Sequence, residues 1–349
     1  MADSRPRQQQ RAPDGWYGAL TSQKLRRGRA VSFRALGRDL VAWRGMDGVA
    51  HVIDRYCPHQ GAALDKGRVQ GDRIVCPFHA WEFGSGGHCV GRPDFYKTAI
   101  SARVGAYATV ERDGVVWFHS DPTTAQGDEA LFPAVASYLG TDDGAFGRTH
   151  VVRKCFRGSQ MGVLENTMDL CHLVPVHGQE LRGGSGRVTR NDTGVFAFEM
   201  NFRLGGGRFE VPMSIEMSIH DGTLLIGNFS IAGRECSRWI ASAMPDGAGG
   251  LTVLQPYVTA KLEGWWRLAN PVLALGMGRG ISRGLEVDAK IWSEQSRAEG
   301  HIVPPEERVA EEFRRYYAAL LEGRDERDEV RRGSRAEPSP AGWVASQHV

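Results

Sequence analysis

Short β-type apolar runs punctuate the first third of the chain. Leu40-Val41-Ala42-Trp43, Val49-Ala50-His51-Val52-Ile53, Arg73-Ile74-Val75 and Val115-Val116-Trp117-Phe118 are such runs, parted by turn pairs such as Asp47-Gly48 and Asp113-Gly114. They predict a small antiparallel β domain over residues 16–120. Residues 121–127 (DPTTAQG) read as a linker. The pattern then changes. Residues 159–174 read as helix, and residues 214–220 alternate apolar and polar as a strand does. Asp221-Gly222 predicts a hairpin turn into a second strand over 223–231. Helix is expected again over 281–297 and, more sharply, over 305–321. The latter has Pro305 at its start, Glu306 and Glu307 in its first turn, and Gly323 just past its end. Its apolar positions are Val309, Phe313, Tyr316, Tyr317 and Leu320. Strands with segregated helices make the second domain α+β. The expected divisions are a flexible start (1–14), a β domain (15–121), an α+β domain (122–322) and a disordered charged tail (323–349).

Composition narrows the class. The chain has 349 residues, room for about two domains, and 41% of them are apolar, enough for real cores. A net charge of +2 carries no nucleic-acid signature. No apolar run approaches the roughly 18–20 residues of a membrane span, and the polar start lacks the apolar core of a signal peptide. The expectation is a soluble, cytoplasmic protein. Six cysteines in a chain this long do not make a disulfide framework. Cys89, Cys155, Cys171 and Cys236 are expected to be reduced and structural.

Two cysteines stand apart because histidines share their spacing. Cys57-Pro58-His59 is followed, after a gap of sixteen residues, by Cys76-Pro77-Phe78-His79. Structural zinc sites commonly pair Cys with Cys in one turn and His with His on a helix. Here each half offers one of each, in Gly/Pro-containing loops between strands. A Rieske [2Fe–2S] centre needs two thiolates on one iron and two imidazoles on the other. Two loops giving one Cys and one His apiece satisfy that. Pro58 and Pro77 stiffen the loops, Gly61 and Gly67 permit tight backbone, and Trp81 and Phe83 can shield a cluster from water. Imidazole ligation lifts the potential to about −150 to +300 mV.

The second constellation is Asp169-Leu170-Cys171-His172-Leu173-Val174-Pro175-Val176-His177, with Glu165-Asn166 upstream. Two histidines and a carboxylate with open positions suit a non-haem Fe(II) site. Five residues apart on a straight helix, His172 and His177 would point about 140° apart. Pro175 between them disfavours continued helix, which lets both face one point. Asp169 and His172, three apart, share a helical face. A carboxylate must come from elsewhere, with Glu286, Asp288 and Glu294 as candidates.

The text around these residues resembles one family. CPHQGAAL and CPFHAWEF, with GWYGAL, GRDLVAWR and HVIDRYCPH upstream, are similar to the Rieske domain of Rieske-type non-haem iron oxygenases. ENTMDLCHLVPVH resembles that family's E-N-x-x-D-x-x-H-x4-H iron motif. The resemblance covers most of residues 15–320 and is nearest to the group of ketosteroid 9α-hydroxylase oxygenases, sterol 7-desaturases and aminopyrrolnitrin-type oxygenases. It implies an all-β Rieske [2Fe–2S] domain, with Cys57, His59, Cys76 and His79 as ligands, followed by a helix-grip catalytic domain. VDAKIW resembles the D-x-x-I-W segment that carries the third ligand, which selects Asp288 beside His172 and His177, with Glu286 as runner-up. Asp169 is implied as an electron bridge from His172 to His79 of the next subunit in a homotrimer. Asn166 lines the site or caps backbone.

The resemblance further implies a monooxygenase fed by an external flavin- or ferredoxin-type reductase. NAD(P)H then acts only through that reductase, and O2 is the co-substrate. The expected substrate is a mainly apolar small molecule, with hydroxylation, desaturation and oxidative cyclisation all open. The expected pocket lies on a strand pair whose one face carries Met213, Ile215, Met217 and Ile219, facing Leu225, Gly227, Phe229 and Ile231. Two other classes remain: a Rieske electron-transfer protein, and a zinc-stabilised lipid-binding protein. His51, His88, His119, His150, His220 and His301 have no partner spacing. Gly205-Gly206-Gly207 lacks the strand–helix frame of a dinucleotide site.

Overall fold

The computed structural model describes residues 11–98, 101–123, 132, 138–140, 144–192, 194–205, 210–295, 304 and 307–335. The first domain is built of β1 Trp16–Thr21, β2 Ala30–Ala35, β3 Arg38–Arg44, β4 Ala50–Asp54, β5 Arg68–Gln70, β6 Arg73–Val75, β7 Glu82–Phe83, β8 Cys89–Gly91, β9 Ala106–Tyr107, β10 Thr109–Arg112 and β11 Val115–His119. They form three sheets, ordered β1-β11-β10, β2-β3-β4-β9 and β5-β6-β7-β8, with antiparallel neighbours throughout. Asp113 and Gly114 take φ of 52° and 74°, the primed turn that matches strand twist between β10 and β11.

The second domain holds β12 His150–Arg157, β13 Leu181–Asp192, β14 Val195–Leu204, β15 Val211–His220, β16 Leu224–Ile231, β17 Arg234–Pro245 and β18 Gly250–Thr259. They make one seven-stranded antiparallel sheet, ordered β12-β18-β17-β16-β15-β14-β13. Its helices are α1 Gln160–Asn166, α2 Asn270–Glu294 and α3 Arg308–Arg335. Asp221 and Gly222 (φ 49° and 65°) make the expected turn between β15 and β16.

The pleat assigns the two faces of this sheet to different work. Leu224, Ile226, Ile240, Leu254 and Val258 pack against Trp16, Val110, Val115 and Trp117 of the first domain. The alternate residues, Leu225, Ala241, Met217 and Ile219, pack with Leu164 and Met168 around α1 and with Phe313, Tyr316 and Tyr317 of α3. Ala243, Leu251 and Val253 meet Val163 of α1 and Trp292 of α2 on that same face. Helices therefore cover one face, and the first domain covers the other. Each large side chain fully buried there contributes about 1.5–3 kcal/mol.

Several boundaries differ from the sequence expectation. Residues 11–14 are not a flexible start: Ala12 is buried in the first core, and the Tyr17 hydroxyl donates to the Pro13 carbonyl at 2.8 Å. The helix expected over 159–174 ends at Asn166. The Asp169 carboxylate takes the backbone N–H groups of Cys171 and His172, which redirects the chain into a 3-10 turn, Cys171–Leu173. α2 begins at Asn270, eleven residues early, with Pro271 in its first turn. Its glycines, 276, 278, 280 and 284, hide it from propensity. α3 starts at Arg308 and continues through Gly323 to Arg335, where a tail was expected. One helical glycine costs only about 1 kcal/mol, and the Arg/Asp/Glu mixture beyond it is helix-compatible. Residues 1–10, 124–127, 206–207, 301, 305–306 and 336–349 lie outside the described residues.

Candidate metal centres

The two Cys-Pro-x-His loops fold alike because their backbones close the same way. The Cys57 N–H donates to the Ala62 carbonyl, and Gly61 N–H donates back to the Cys57 carbonyl, both at 2.9 Å. In the second loop Cys76 N–H donates to Trp81 (2.8 Å), and Ala80 N–H donates to Cys76 (3.2 Å). Gly61 and Ala80 hold equivalent left-handed positions, φ 71° and 54°. Gly67 has a different reason: a Cβ there would lie 1.9 Å from the Val75 carbonyl oxygen, just before Cys76.

Both thiols are buried, while His59 and His79 sit at the rim with ring centroids 4.6 Å apart. His59 stacks flat on Trp81 at 4.5 Å, and its Nδ1 is buried without a hydrogen-bond partner. Burial, with Cys76 alongside, pushes the Cys57 thiol up to about 11. A bound cation offsets that penalty, because thiolate ligation displaces the proton. Among the described residues no three of these ligand atoms gather within 4.8 Å, as one ion needs. Thiols inside and imidazoles outside fit a two-iron cluster instead.

The second group does converge. Ligand atoms of His172, His177 and Asp288 lie within 4.8 Å of one another, the one such group among the described residues. α1 starts on Ser159, whose hydroxyl accepts from Gly162 N–H at 3.1 Å, and ends at Asn166. The 3-10 turn then carries His172, and a further turn, with Val176 N–H donating to the His172 carbonyl, returns His177 beside it. Their ring centroids are 5.2 Å apart. α2 supplies Asp288, with Oδ1 3.0 Å from His177 Nε2. Asn166 Nδ2 lies 3.3 Å from His172 Nε2 and 3.4 Å from Asp288 Oδ2.

Asp288 Oδ1 is buried with only His177 Nε2 against it, and His172 Nδ1 is buried with only Asp169 Oδ2, at 3.5 Å. Burial raises the Asp288 carboxyl above its usual range, although both histidines pull it down. A buried carboxylate beside two imidazoles fits a dication. The rival carboxylates lie elsewhere: exposed Glu286 pairs with Lys154, and Glu294 is exposed.

Asp169 Oδ1 accepts from Cys171 N–H (2.7 Å) and His172 N–H (3.3 Å), and its Oδ2 lies 3.5 Å from His172 Nδ1. Burial works against its charge, yet His172 and the N–H groups hold the carboxyl below its usual range. Burial likewise opposes charge on His172, and Asp169 overcomes it to raise the imidazole. The expected shared helical face was the wrong geometry, since an Asp-capped turn makes the contact instead.

The expected pocket face divides in two. Met217, Ile219, Leu225 and Gly227 are packed core, and a Cβ on Gly227 would strike Trp239 at 2.4 Å. Met213, Ile215 and Phe229 stay half-buried, and Ile231 is exposed. A polar cavity of about 140 Å³ opens beside Asn166 and Asp169, walled by Glu165, Glu307, Trp292 and Arg314. Arg314 pairs with Glu165 across from α3. Nothing in the spacing of the sequence joins residues 149 positions apart.

Comparison with known proteins bears on both centres. Residues 15–103 match the Rieske [2Fe-2S] domain. Cholesterol 7-desaturase nvd of Bombyx mori is 37% identical over 174 residues, covering 48% of this chain and 36% of that protein. The Drosophila melanogaster desaturase is covered over 52%, so the chain spans about a third to a half of these relatives. The oxygenase component of 3-ketosteroid-9-alpha-monooxygenase from Rhodococcus rhodochrous is 23% identical over 320 residues, 87% of this chain and 81% of that protein. Dicamba monooxygenase bound to dicamba superposes with a TM-score of 0.74 at 20% identity, over 90% of this chain and 99% of that one.

Proposed function

We propose that this chain, a member of the Rieske-type non-haem iron oxygenases, is a terminal oxygenase component that uses O2 and electrons from a separate reductase to oxidise an apolar small molecule. The observation that carries this reading is the meeting of His172, His177 and Asp288, from separate elements, in a chain that also has a Rieske domain. Bound by their residues, the cluster and the ferrous ion supply one-electron transfer and O2 activation. Cys57 and Cys76 would hold the cluster from inside, and half-buried His59 and His79 from the rim. His172, His177 and Asp288 hold the mononuclear iron. Asn166 orients Asp288, and Asp169 positions His172 through its Nδ1 edge.

The faces of the large sheet support a trimer. The iron residues stand on the helical face, whereas the Rieske domain packs on the opposite one. In a head-to-tail ring Asp169 would stand between His172 of its own chain and a cluster histidine of the next, where it would link the two metal sites. Exposed Phe78, against His79, and Val174, between the iron histidines, offer apolar contacts at the two ends of such a junction. The cavity beside Asn166 offers polar groups near the candidate iron residues, and Met213, Ile215 and Phe229 offer a separate half-buried apolar surface in the same domain. Relatives named for cholesterol and 3-ketosteroid favour a fused-ring substrate. A cytoplasmic location gives the reductase its NAD(P)H.

The test is oxygen uptake with product analysis, using a surrogate reductase and a panel of sterols, ketosteroids and aromatic amines. Substrate-dependent uptake with an oxidised product supports the reading. A red-brown protein with a Rieske EPR signal but no turnover on any panel member favours an electron carrier, and a colourless zinc protein excludes both.

A further inference from the structure

Five strongly exposed apolar side chains cluster on one short segment. Between β18 and the body of α2 the chain forms a 3-10 turn, Gly264–Ala269, running straight into the first turns of α2. Trp265 is 72% exposed, Trp266 55%, Leu268 81%, Val272 70% and Leu275 53%. The two tryptophans stack on each other at 3.7 Å instead of entering the core. The segment is held firmly. Asn270 clamps Leu262 through both backbone groups (2.8 and 3.3 Å), and the Tyr257 hydroxyl donates to the Ala274 carbonyl at 2.7 Å. An apolar face kept rigid and outside the core marks an interaction surface.

Charge says which kind. Leu268, Val272 and Leu275 form one helical stripe, which Arg279 and Arg283, both exposed, continue. Residues 264–285 contain no Asp or Glu. Beneath the segment lies a cavity of about 540 Å³ whose walls include Arg234, Lys261 and Arg267. Its other cation, Arg238, is bonded to Glu235, which leaves Glu263 as the remaining carboxylate. Exposed tryptophans and aliphatics beside a cationic rim are the composition of a helix that lies in a bilayer interface. A second copy docking symmetrically would set these cations against themselves.

We propose that this segment and the cavity beneath it dock the protein on an anionic phospholipid bilayer. Trp265, Trp266, Leu268, Val272 and Leu275 enter the headgroup–acyl boundary, and Arg234, Lys261 and Arg267 take lipid phosphates. Docking is peripheral, since no described helix is long and apolar enough to span a membrane. The inference rests on neither iron site and is tested without turnover.

The experiment is flotation of the metal-loaded full chain with vesicles of phosphatidylcholine alone or mixed with phosphatidylglycerol. Tryptophan quenching by brominated acyl chains reports insertion. We expect flotation on the anionic vesicles at low salt, with quenching, and little on neutral ones. The pair Trp265→Ser with Trp266→Ser should lose the quenching. The pair Arg234→Gln with Arg267→Gln should lower partitioning by roughly 25-fold, as expected for two cations at an anionic surface. The cluster absorbance reports folding of each variant. Absence of flotation and quenching in the wild type overturns the proposal, whatever the variants do. So does unchanged partitioning in folded variants, or a loss of self-association on replacing the tryptophans, which would make the patch a contact between copies.

Discussion

Asp288 and Glu286 lie two positions apart on one helix, and their surroundings separate them. Asp288 is buried against both histidines, while Glu286 faces Lys154 in solvent. In the proposed reading Asp288→Ala loses about one iron per chain and all turnover with the Rieske spectrum intact. Glu286→Ala keeps both. Iron analysis of the two proteins decides, and a full iron complement in Asp288→Ala would remove Asp288 from the ligand set. Asp169 acts differently, because its carboxylate braces His172 from behind. Asp169→Asn is expected to keep both metals and lose turnover by about 10–100-fold, read by steady-state rates beside the EPR spectra. Wild-type rates would leave Asp169 as a turn-forming residue alone.

At the scale of elements, the Rieske loops combine two glycines with opposite needs. Gly61 has open space around its missing Cβ and needs only φ of 71°, so Gly61→Ala should cost about 1–2 kcal/mol in thermal or denaturant unfolding. Gly67 has an ordinary φ, but a Cβ there collides with backbone before Cys76. Gly67→Ala should therefore forfeit the cluster spectrum, while Gly61→Ala retains it. Similar losses from both substitutions would contradict the contrast. The segment after α1 shows the converse economy. Once α1 has ended at Asn166, Asp169 caps the turn that carries His172 and so helps build the site.

For the whole molecule, the large sheet is the partition. Its pleat commits alternate residues of β16 and β17 to the Rieske domain and to the helical face on which His172, His177 and Asp288 meet. If electrons cross between chains, two inactive variants must complement. Co-expressed Cys76→Ser and Asp288→Ala chains should recover up to about a quarter of wild-type turnover in a randomly assorted head-to-tail ring. Either variant alone should give none. Absence of recovery in verified mixed trimers would place transfer within one chain.

The sequence by itself named the candidate ligands and most strand and turn positions. Those rest on short-range chemistry: Cys-Pro-x-His loops, the two-histidine spacing, and the Asp-Gly turns at 113–114 and 221–222. It singled out Asp288 by resemblance alone, since no local rule separates one helix carboxylate from another. Tertiary structure decided the rest. It brought α2 against the turn after α1, paired Arg314 with Glu165, and turned Met217 and Gly227 from pocket candidates into core. It also carried α3 through Gly323 and left Trp265 and Trp266 outside. The physical reason is common to these cases. Spacing within a turn or strand fixes where nearby side chains point, but burial depends on which distant element packs over them, and no local pattern encodes that.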